Sequence, residues 1–201
     1  MKFVCTFLIL ILSSIALIGG SKLNSTEFKQ SIPELGQYIS IKDHPKAKGV
    51  NMKLRVPIGW QVSEGDRPNV VKKFVKEGNT FMILIKDNVT FFSRKEVKEL
   101  LKDDTFLNEF VQGLGSSLKS PQLIDHSVVT IDNYPTLSVK VMGRVERSGF
   151  VFPVIMKYWV VFYEDKIVTL QTAGLGNLNF KQLELLYSSI TNSVIFPEQY
   201  N

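Results

Sequence analysis

The sequence is poor in the residues that build metal centres and covalent catalytic sites. Its 201 residues include one cysteine, Cys5, and two histidines, His44 and His126. A single cysteine allows no intrachain disulfide, and two isolated histidines without an HExxH-type motif do not define a zinc site. We therefore expect no metal and no cofactor, and we interpret both histidines as surface or strand-end residues.

Motifs of hydrolases and nucleotide-binding enzymes are missing or incomplete. The segment 113–117 resembles a nucleophile elbow but lacks its closing glycine, and we interpret it as a helix stop. The segment 174–177 follows a predicted strand and opens a helix, a context that favours anion binding, yet no third glycine or Walker lysine follows. Asp103 and Asp104 are adjacent on a predicted helix, so their side chains point about 100° apart and cannot act on one atom. None of these three segments is a complete catalytic or nucleotide-binding motif.

The charge of the chain is mildly positive, with 24 Lys and Arg against 19 Asp and Glu. Basic residues cluster over 42–55 and 72–76, without the dense, aromatic-interleaved stripe typical of nucleic-acid-binding proteins. We interpret these clusters as solvated strand edges, where lysine discourages aggregation between sheets. Contact with an anionic surface is the alternative. We expect no nucleic-acid partner.

The N-terminus carries a long apolar run. Lys2 precedes an uncharged stretch over residues 3–18, and small residues follow it. This order predicts a secretory signal peptide over residues 1–20, cleaved after Gly20 or, as an alternative, after Ala16. An uncleaved membrane anchor is the other alternative, because the run approaches the about 20 apolar residues of a spanning helix.

The signal peptide sets the predicted compartment. Cys5 lies before the apolar core of the signal, not at its end, so no lipobox is present and the only cysteine leaves with the signal. An exported domain without disulfides favours the periplasm of a Gram-negative bacterium, or secretion. The remaining chain is long enough to bury a core without disulfides. We expect a monomer that contacts the membrane only if the signal is uncleaved.

Hydrophobic periodicity predicts one α+β domain. Residues 21–37 show no sustained period and are predicted to form a flexible leader, and residues 38–197 are predicted to form an antiparallel sheet packed with helices. Short turns between most strands force antiparallel neighbours. The alternation of apolar and polar residues predicts strands over 50–57, 70–75, 80–86, 122–131, 136–145, 150–163 and 166–172.

Two helical regions complete the domain. The segment Ser93–Glu96 is a capping box, and apolar residues follow it at helical spacing, with a kink or a split expected near Asp103. The last helix is predicted to begin within 177–179 and to end at Pro197. Both helical regions are able to pack on one face of the sheet, which would leave the other face open.

The predicted open face carries the candidate binding residues. Alternation along strand 150–163 places its aromatic and cationic residues opposite Met156, and the neighbouring strand places further cations beside them. An exposed aromatic patch ringed by cations is typical of a ligand- or partner-binding surface. The alternatives are that both faces are covered or that these side chains seal a sheet edge. The predicted surface consists of Lys140, Met142, Arg144, Lys157, Trp159 and Tyr163.

Several elements together resemble a known family. The turn Val56-Pro57-Ile58-Gly59-Trp60 resembles the opening signature of PsbP-like domains, which include DcrB-type bacterial envelope proteins. The serine-capped helix, the turn 132–135 and a closing helix of the form F-x-x-L-x-x-L-x-x-S-I over 180–190 agree, although Asn133 stands where the family often has glycine. The resemblance covers residues 38–197 and implies a single α-β-α sandwich.

The resemblance also implies a mostly non-catalytic role. Family members serve as photosystem subunits, as envelope proteins or as chaperones of secreted effectors, and they supply no universal catalytic residues. Predicted export disfavours the chaperone role, which is cytosolic. We therefore predict an exported, non-catalytic binding or accessory protein of the bacterial cell envelope. It would use a sheet face, or a groove beside the last helix, to contact an envelope protein or an apolar or anionic ligand. The alternative is an envelope hydrolase or lipid-handling enzyme with a non-standard site.

Overall fold

A computed structural model of the chain describes residues 34–200, apart from residues 89, 148 and 176–179. The predicted signal peptide and most of the predicted leader lie outside the described residues. Short 3-10 helices occur at Pro45–Ala47 and Pro197–Tyr200. The strands are β1 (Leu35–Ser40), β2 (Lys53–Pro57), β3 (Gln61–Glu64), β4 (Val70–Lys76), β5 (Asn79–Asp87), β6 (Lys119–Ile131), β7 (Tyr134–Arg147), β8 (Phe150–Tyr163) and β9 (Lys166–Leu175), and the helices are α1 (Arg94–Leu100), α2 (Asp104–Gly115) and α3 (Phe180–Asn192).

The strands form two antiparallel sheets. The larger sheet has seven strands in the order β3-β4-β5-β9-β8-β7-β6, and β1 pairs with β2 in a separate sheet. The predicted succession of antiparallel strands in the second half of the chain is confirmed, because β6 to β9 are sequential neighbours. The chain then returns β9 to the hairpin β4–β5, so that Phe81 lies opposite Thr172. The predicted α+β fold class is confirmed.

Side-chain caps define the first two helices. The backbone N–H of Ser93 donates to the Glu96 carboxylate at 2.7 Å, and the N–H of Glu96 donates to Ser93 Oγ at 3.3 Å, which confirms the predicted capping box. The carboxylate of Asp103 accepts from the N–H groups of Thr105 and Phe106. Asp103 therefore caps α2 and separates it from α1, so the expected interruption is a split into two helices.

The helices cover opposite faces of the large sheet, which corrects the idea that both pack on one face. Buried residues of α1 and α2, such as Val97 and Val111, pack against the even-numbered residues of β8. Buried residues of α3, together with β2, pack against its odd-numbered residues. Both faces of β8 are apolar and need a cover. The result is the layered arrangement that the PsbP-like resemblance implies.

The first strand of the domain is hydrogen-bonded to Arg55 of strand β2. Strand β1 begins at Leu35, three residues before the predicted boundary at residue 38, and Arg55 donates hydrogen bonds to the carbonyl oxygens of Leu35 and Gly36 at 2.7 Å. Residues 35–37 thus belong to the folded domain.

In the part of the chain that the structure describes, no helix has the length and apolar character needed to cross a membrane.

The turn between β6 and β7 explains why asparagine replaces glycine there. Asp132 and Asn133 both adopt left-handed backbone conformations, with φ of 44° and 66°. A two-residue hairpin turn of this kind requires positive φ at both positions, and Asp and Asn tolerate it better than other side chains. The Asp132 carboxylate also accepts from the N–H of Phe196 and from the Gln199 amide. The turn therefore holds the C-terminal segment.

Candidate functional site

The structure brings the predicted binding residues to one face, as expected. Lys140 lies opposite Lys157, Met142 opposite Ile155, and Ser138 opposite Trp159 in the pairing of β7 with β8. Alternation along both strands therefore places the cations and the aromatic residues on the same side of the sheet.

Two of these residues are nevertheless not exposed. Trp159 and Tyr163 are only 5% and 7% accessible, because α3 and the C-terminal segment cover this part of the sheet. The Tyr163 ring stacks on Phe196, with 5.0 Å between the ring centroids. The expectation of an open aromatic patch is wrong for these two side chains, and they belong to the core. The alternative that both faces are covered holds here.

The two lysines of the predicted surface anchor α3. Lys140 and Lys157 donate to the two carboxylate oxygens of Glu184 at 2.9 and 2.8 Å. Lys157 also lies 5.2 Å from the centre of the Trp159 ring. Partial burial would raise the pKa of Glu184, but the hydrogen bonds from Lys157 and Lys140 outweigh it and lower that pKa below its ordinary value. Only Met142 and Arg144 of the predicted set remain exposed.

A groove lies on the opposite face of the sheet, beside α2. Helices α1 and α2 pack over β7 and β8, while the same face of β4, β5 and β9 is uncovered in part. Two adjoining cavities of about 780 and 650 Å³ follow this uncovered surface. Arg67, Ser117 and Gln171 line both cavities, so the two form one open groove.

The floor of the groove alternates apolar and small polar side chains. Along β5, the odd-numbered residues Phe81, Ile83 and Ile85 are fully buried in the core under α3, and Met82 and Leu84 point the other way. Both are partly buried. Strand β9 continues the floor, and α2 supplies an aromatic wall. Further lining residues are Met156, Thr169, Gln171, Ala173, Phe106 and Phe110.

Cations line one side of the groove. Arg67 sits on the loop between β3 and β4, and Lys46 fixes this loop by donating to the carbonyl oxygens of Gly65 and Arg67 at 2.6 and 2.9 Å. Lys73 lies on β4 beside it. Within the described part of the chain, neither the Arg67 nor the Lys73 side chain forms a hydrogen bond or ion pair. Arg144, a predicted site residue, lines the far end.

Three carboxyl groups, those of Asp66, Glu109 and Glu146, also line the groove, and Glu146 pairs with Lys119. The Tyr158 hydroxyl donates to the carbonyl of Leu114 at 3.3 Å, and burial raises the pKa of Tyr158 to about 12, so the phenol stays neutral at pH 7. Ser116 is tied to the Gly113 carbonyl at the end of α2, as expected for a helix stop. Neither histidine lines the cavities.

The two histidines lie apart from each other, one before a short 3-10 helix and one on strand β6. His44 Nδ1 accepts from the N–H of Lys46 at 3.1 Å, and Nε2 contacts the Glu64 carboxylate. His44 therefore has two partners, contrary to the expectation of an isolated histidine. His126 lies on β6, opposite Val139. No group of three or more potential His, Cys, Asp or Glu ligands occurs among residues 34–200 as described. Of the segment 174–177, residues 176 and 177 lie outside the described residues.

A sequence signal for the groove exists but is weak. Along 80–86 and 167–173, one alternating set is apolar except for Thr172, and the other mixes Met, Leu, Ile, Ala, Thr, Gln and Lys. Such a mixed set is typical of a half-covered sheet face. Neither segment shows which helix lies beside it, because the groove joins residues far apart in the chain.

Comparison with solved structures defines the class of fold. Cyanobacterial PsbP from Synechocystis shares 14% identity with this chain, with a TM-score of 0.50 over 84% of this chain and 95% of its own. This likeness shows that the chain has a PsbP-like fold, as the resemblance predicts. The comparison with models of protein families finds no match. The comparison with curated proteins also finds none. The narrower resemblance to DcrB-type proteins stays a prediction.

Two further solved structures are similar to this chain, each with a TM-score of 0.49. LpqN of Mycobacterium tuberculosis, described as involved in cell envelope biogenesis, is 15% identical, with a TM-score of 0.49 over 79% of this chain and 90% of its own. The Ran-binding protein Mog1p of Saccharomyces cerevisiae is 9% identical, with a TM-score of 0.49 over 81% and 96%.

Proposed function

We propose that this chain is an exported, non-catalytic binding protein of the bacterial cell envelope whose groove takes an anionic amphiphile. The observation that carries the proposal is a pair of cations, Arg67 and Lys73, whose side chains have no hydrogen-bond or ion-pair partner among the described residues, beside a floor that includes Met82, Met156 and Ala173. A ligand with an apolar chain and a negatively charged head would satisfy both features at once.

The dimensions and chemistry of the groove support this ligand class. Each of the two cavities, at about 780 and 650 Å³, lies within the range of about 300 to 1,000 Å³ that small-molecule sites occupy, and such sites combine apolar walls with a few fixed polar groups. Methionine side chains adapt to irregular apolar ligands, and Arg67 is presented on a loop that Lys46 holds in place. A bound carboxylate or phosphate would form charge-assisted hydrogen bonds with the guanidinium.

The envelope location in this proposal rests on the N-terminal sequence. The basic residue, apolar run and small residues over 1–21 predict export. An envelope hydrolase or lipid-handling enzyme with a non-standard site remains the second candidate, and catalytic turnover of the bound amphiphile would favour it.

The test compares ligands that differ only in charge. Binding of a long-chain fatty acid and of the alcohol of the same chain length is measured by calorimetry on the wild-type protein and on Arg67→Ala/Lys73→Ala. Loss of a charge-assisted contact of about 1.5–3 kcal/mol predicts at least a tenfold weaker fatty-acid affinity for the double variant. The matched control is Lys76→Ala, an exposed lysine on the same strand that does not line the groove.

The outcomes separate the candidates. Preferential binding of the acid, lost in the double variant and kept in the Lys76 variant, supports the proposal. Equal affinity for acid and alcohol, or no effect of the double variant, overturns it. Binding of an acidic peptide without any binding of the fatty acid also overturns it, since the occupant would then be a protein segment.

A further inference from the structure

The tip of the β7–β8 hairpin exposes consecutive apolar residues. Phe150, Val151 and Phe152, which we call the hairpin tip, are 68%, 53% and 39% accessible. Strand β9 ends, within the described residues, at Leu175 opposite Val154, so this tip lies beyond the last β9 residue in the pairing. An exposed run of this kind is rare in a soluble domain unless it contacts something.

The exposure of the hairpin tip is on both faces of the strand. Phe150 and Phe152 share one side, with 6.3 Å between their ring centroids, and alternation places Val151 on the other side. Deeper along β8, from Val154 onward, the residues are buried or partly buried. The apolar surface is thus a projecting end and not a flat patch.

Cations flank this projecting end. Arg144 lies opposite Pro153 and is exposed, and Arg147 lies opposite Phe150 in the strand pairing. Lys119 of β6 lies opposite Arg144 and pairs with the Glu146 carboxylate, the acidic residue of this segment. The charges of Arg144, Lys119 and Glu146 together are net positive. An apolar end with basic residues just behind it matches the order of layers in an anionic bilayer, with acyl chains beneath negative headgroups.

We propose that the hairpin tip docks the protein on an anionic lipid surface. This inference goes beyond the groove-binding function. It rests chiefly on Phe150 and Val151, which do not line the groove, whereas Phe152 and Arg144 line its far end as well. A stable protein interface takes about 800 Å² from each partner, whereas two partly exposed phenylalanines and one valine offer on the order of 300 Å². A membrane needs no complementary surface, so a small convex tip suits it better. The sequence had predicted membrane contact only through an uncleaved N-terminus.

The experiment places a reporter at the tip. Phe150→Trp is compared with Phe91→Trp, because Phe91 is similarly exposed at 63% and lies in the segment before α1. The native tryptophans, Trp60 and Trp159, are buried in both variants. Vesicles of equal parts phosphatidylglycerol and phosphatidylcholine, with and without bromine-labelled acyl chains, are added to protein recovered after export. A retained N-terminal apolar run would attach both variants equally, so the contrast between positions 150 and 91 still reports the tip.

We expect a blue shift and bromine quenching of the tryptophan at position 150 and neither at position 91. Phe150→Ser/Val151→Ser should lower partitioning to these vesicles by about tenfold, and Phe91→Ser by less than about twofold. Equal quenching at both positions overturns the proposal, as does equal binding to vesicles of phosphatidylcholine alone. Self-association that Phe150→Ser abolishes, without vesicle binding, also overturns it and identifies a protein partner.

Discussion

Replacement of Glu184 by glutamine tests how α3 is attached to the sheet. The Glu184 carboxylate accepts from Lys140 and Lys157, and its side chain is 25% accessible. The variant keeps the shape of the side chain but leaves two ammonium groups facing a neutral amide. A hydrogen bond to a charged group contributes about 1.5–3 kcal/mol, and partial solvent screening reduces this value. We expect the free energy of unfolding to fall by about 1–3 kcal/mol at pH 7.

The pH dependence follows from the direction of the pKa shift. The pKa of Glu184 in the folded protein lies below its ordinary value of 4.5. A group with a depressed folded pKa contributes its stability above the unfolded pKa and loses it as the pH falls through the folded pKa. The difference in stability between wild type and Glu184→Gln should therefore be constant near neutrality and shrink below pH 4.5.

Urea denaturation followed by tryptophan fluorescence measures this difference at neutral and acidic pH. Glu99→Gln is the matched control, because Glu99 pairs with Lys102 on the exposed surface of the α1 segment, and such pairs contribute about 0–1 kcal/mol. Equal effects of the two substitutions would refute the reasoning, because Glu184 would then behave as a surface charge. A difference that persists undiminished at acidic pH would refute its electrostatic origin.

Two further substitutions test local features of the fold. Gly113→Ala should raise the melting temperature, because alanine stabilises an open helical position by about 0.5–1 kcal/mol relative to glycine. Gly115→Ala should give no such gain, since an added Cβ would lie 3.0 Å from Pro121. Equal melting temperatures of the two variants would contradict this contrast. Asp132→Asn keeps the left-handed turn but removes the charged acceptor of the Phe196 N–H, and we expect urea denaturation to show a loss of about 1–2 kcal/mol. Unchanged stability would show that the C-terminal segment is held elsewhere.

Local sequence patterns predicted the elements well because their causes are local. The capping box at Ser93–Glu96 needs only four consecutive residues, and strand β8 has the predicted bounds because alternation is a property of one strand. The hairpin turns likewise carry their own signals. The sequence predicts either a kink or a split of the helix near Asp103. The structure shows a split, which the Asp103 cap of α2 causes.

The candidate site could not be predicted in the same way, because its causes are long-range. Alternation shows that Lys157, Trp159 and Tyr163 share a face, but not that α3 covers it. The groove needs Arg67 and Gln171 on neighbouring parts of the surface, and these meet only because β9 pairs with β5. No periodicity within a single segment specifies that pairing. The sequence therefore predicted which side chains could bind, and the structure shows which of them are accessible.

The meeting of the two ends of the domain has a consequence for folding kinetics. Lys53 and Ile195 exchange backbone hydrogen bonds of 2.9 Å. Strand β5 pairs with β9, which lies about 80 residues later in the chain, on the side away from β4. Contacts between residues so distant in sequence close large loops and slow the rate-limiting step. The core cannot be completed until the segment around Ile195 has been synthesised. Until β9 is available, the edge of β5 that pairs with it stays open to wrong partners.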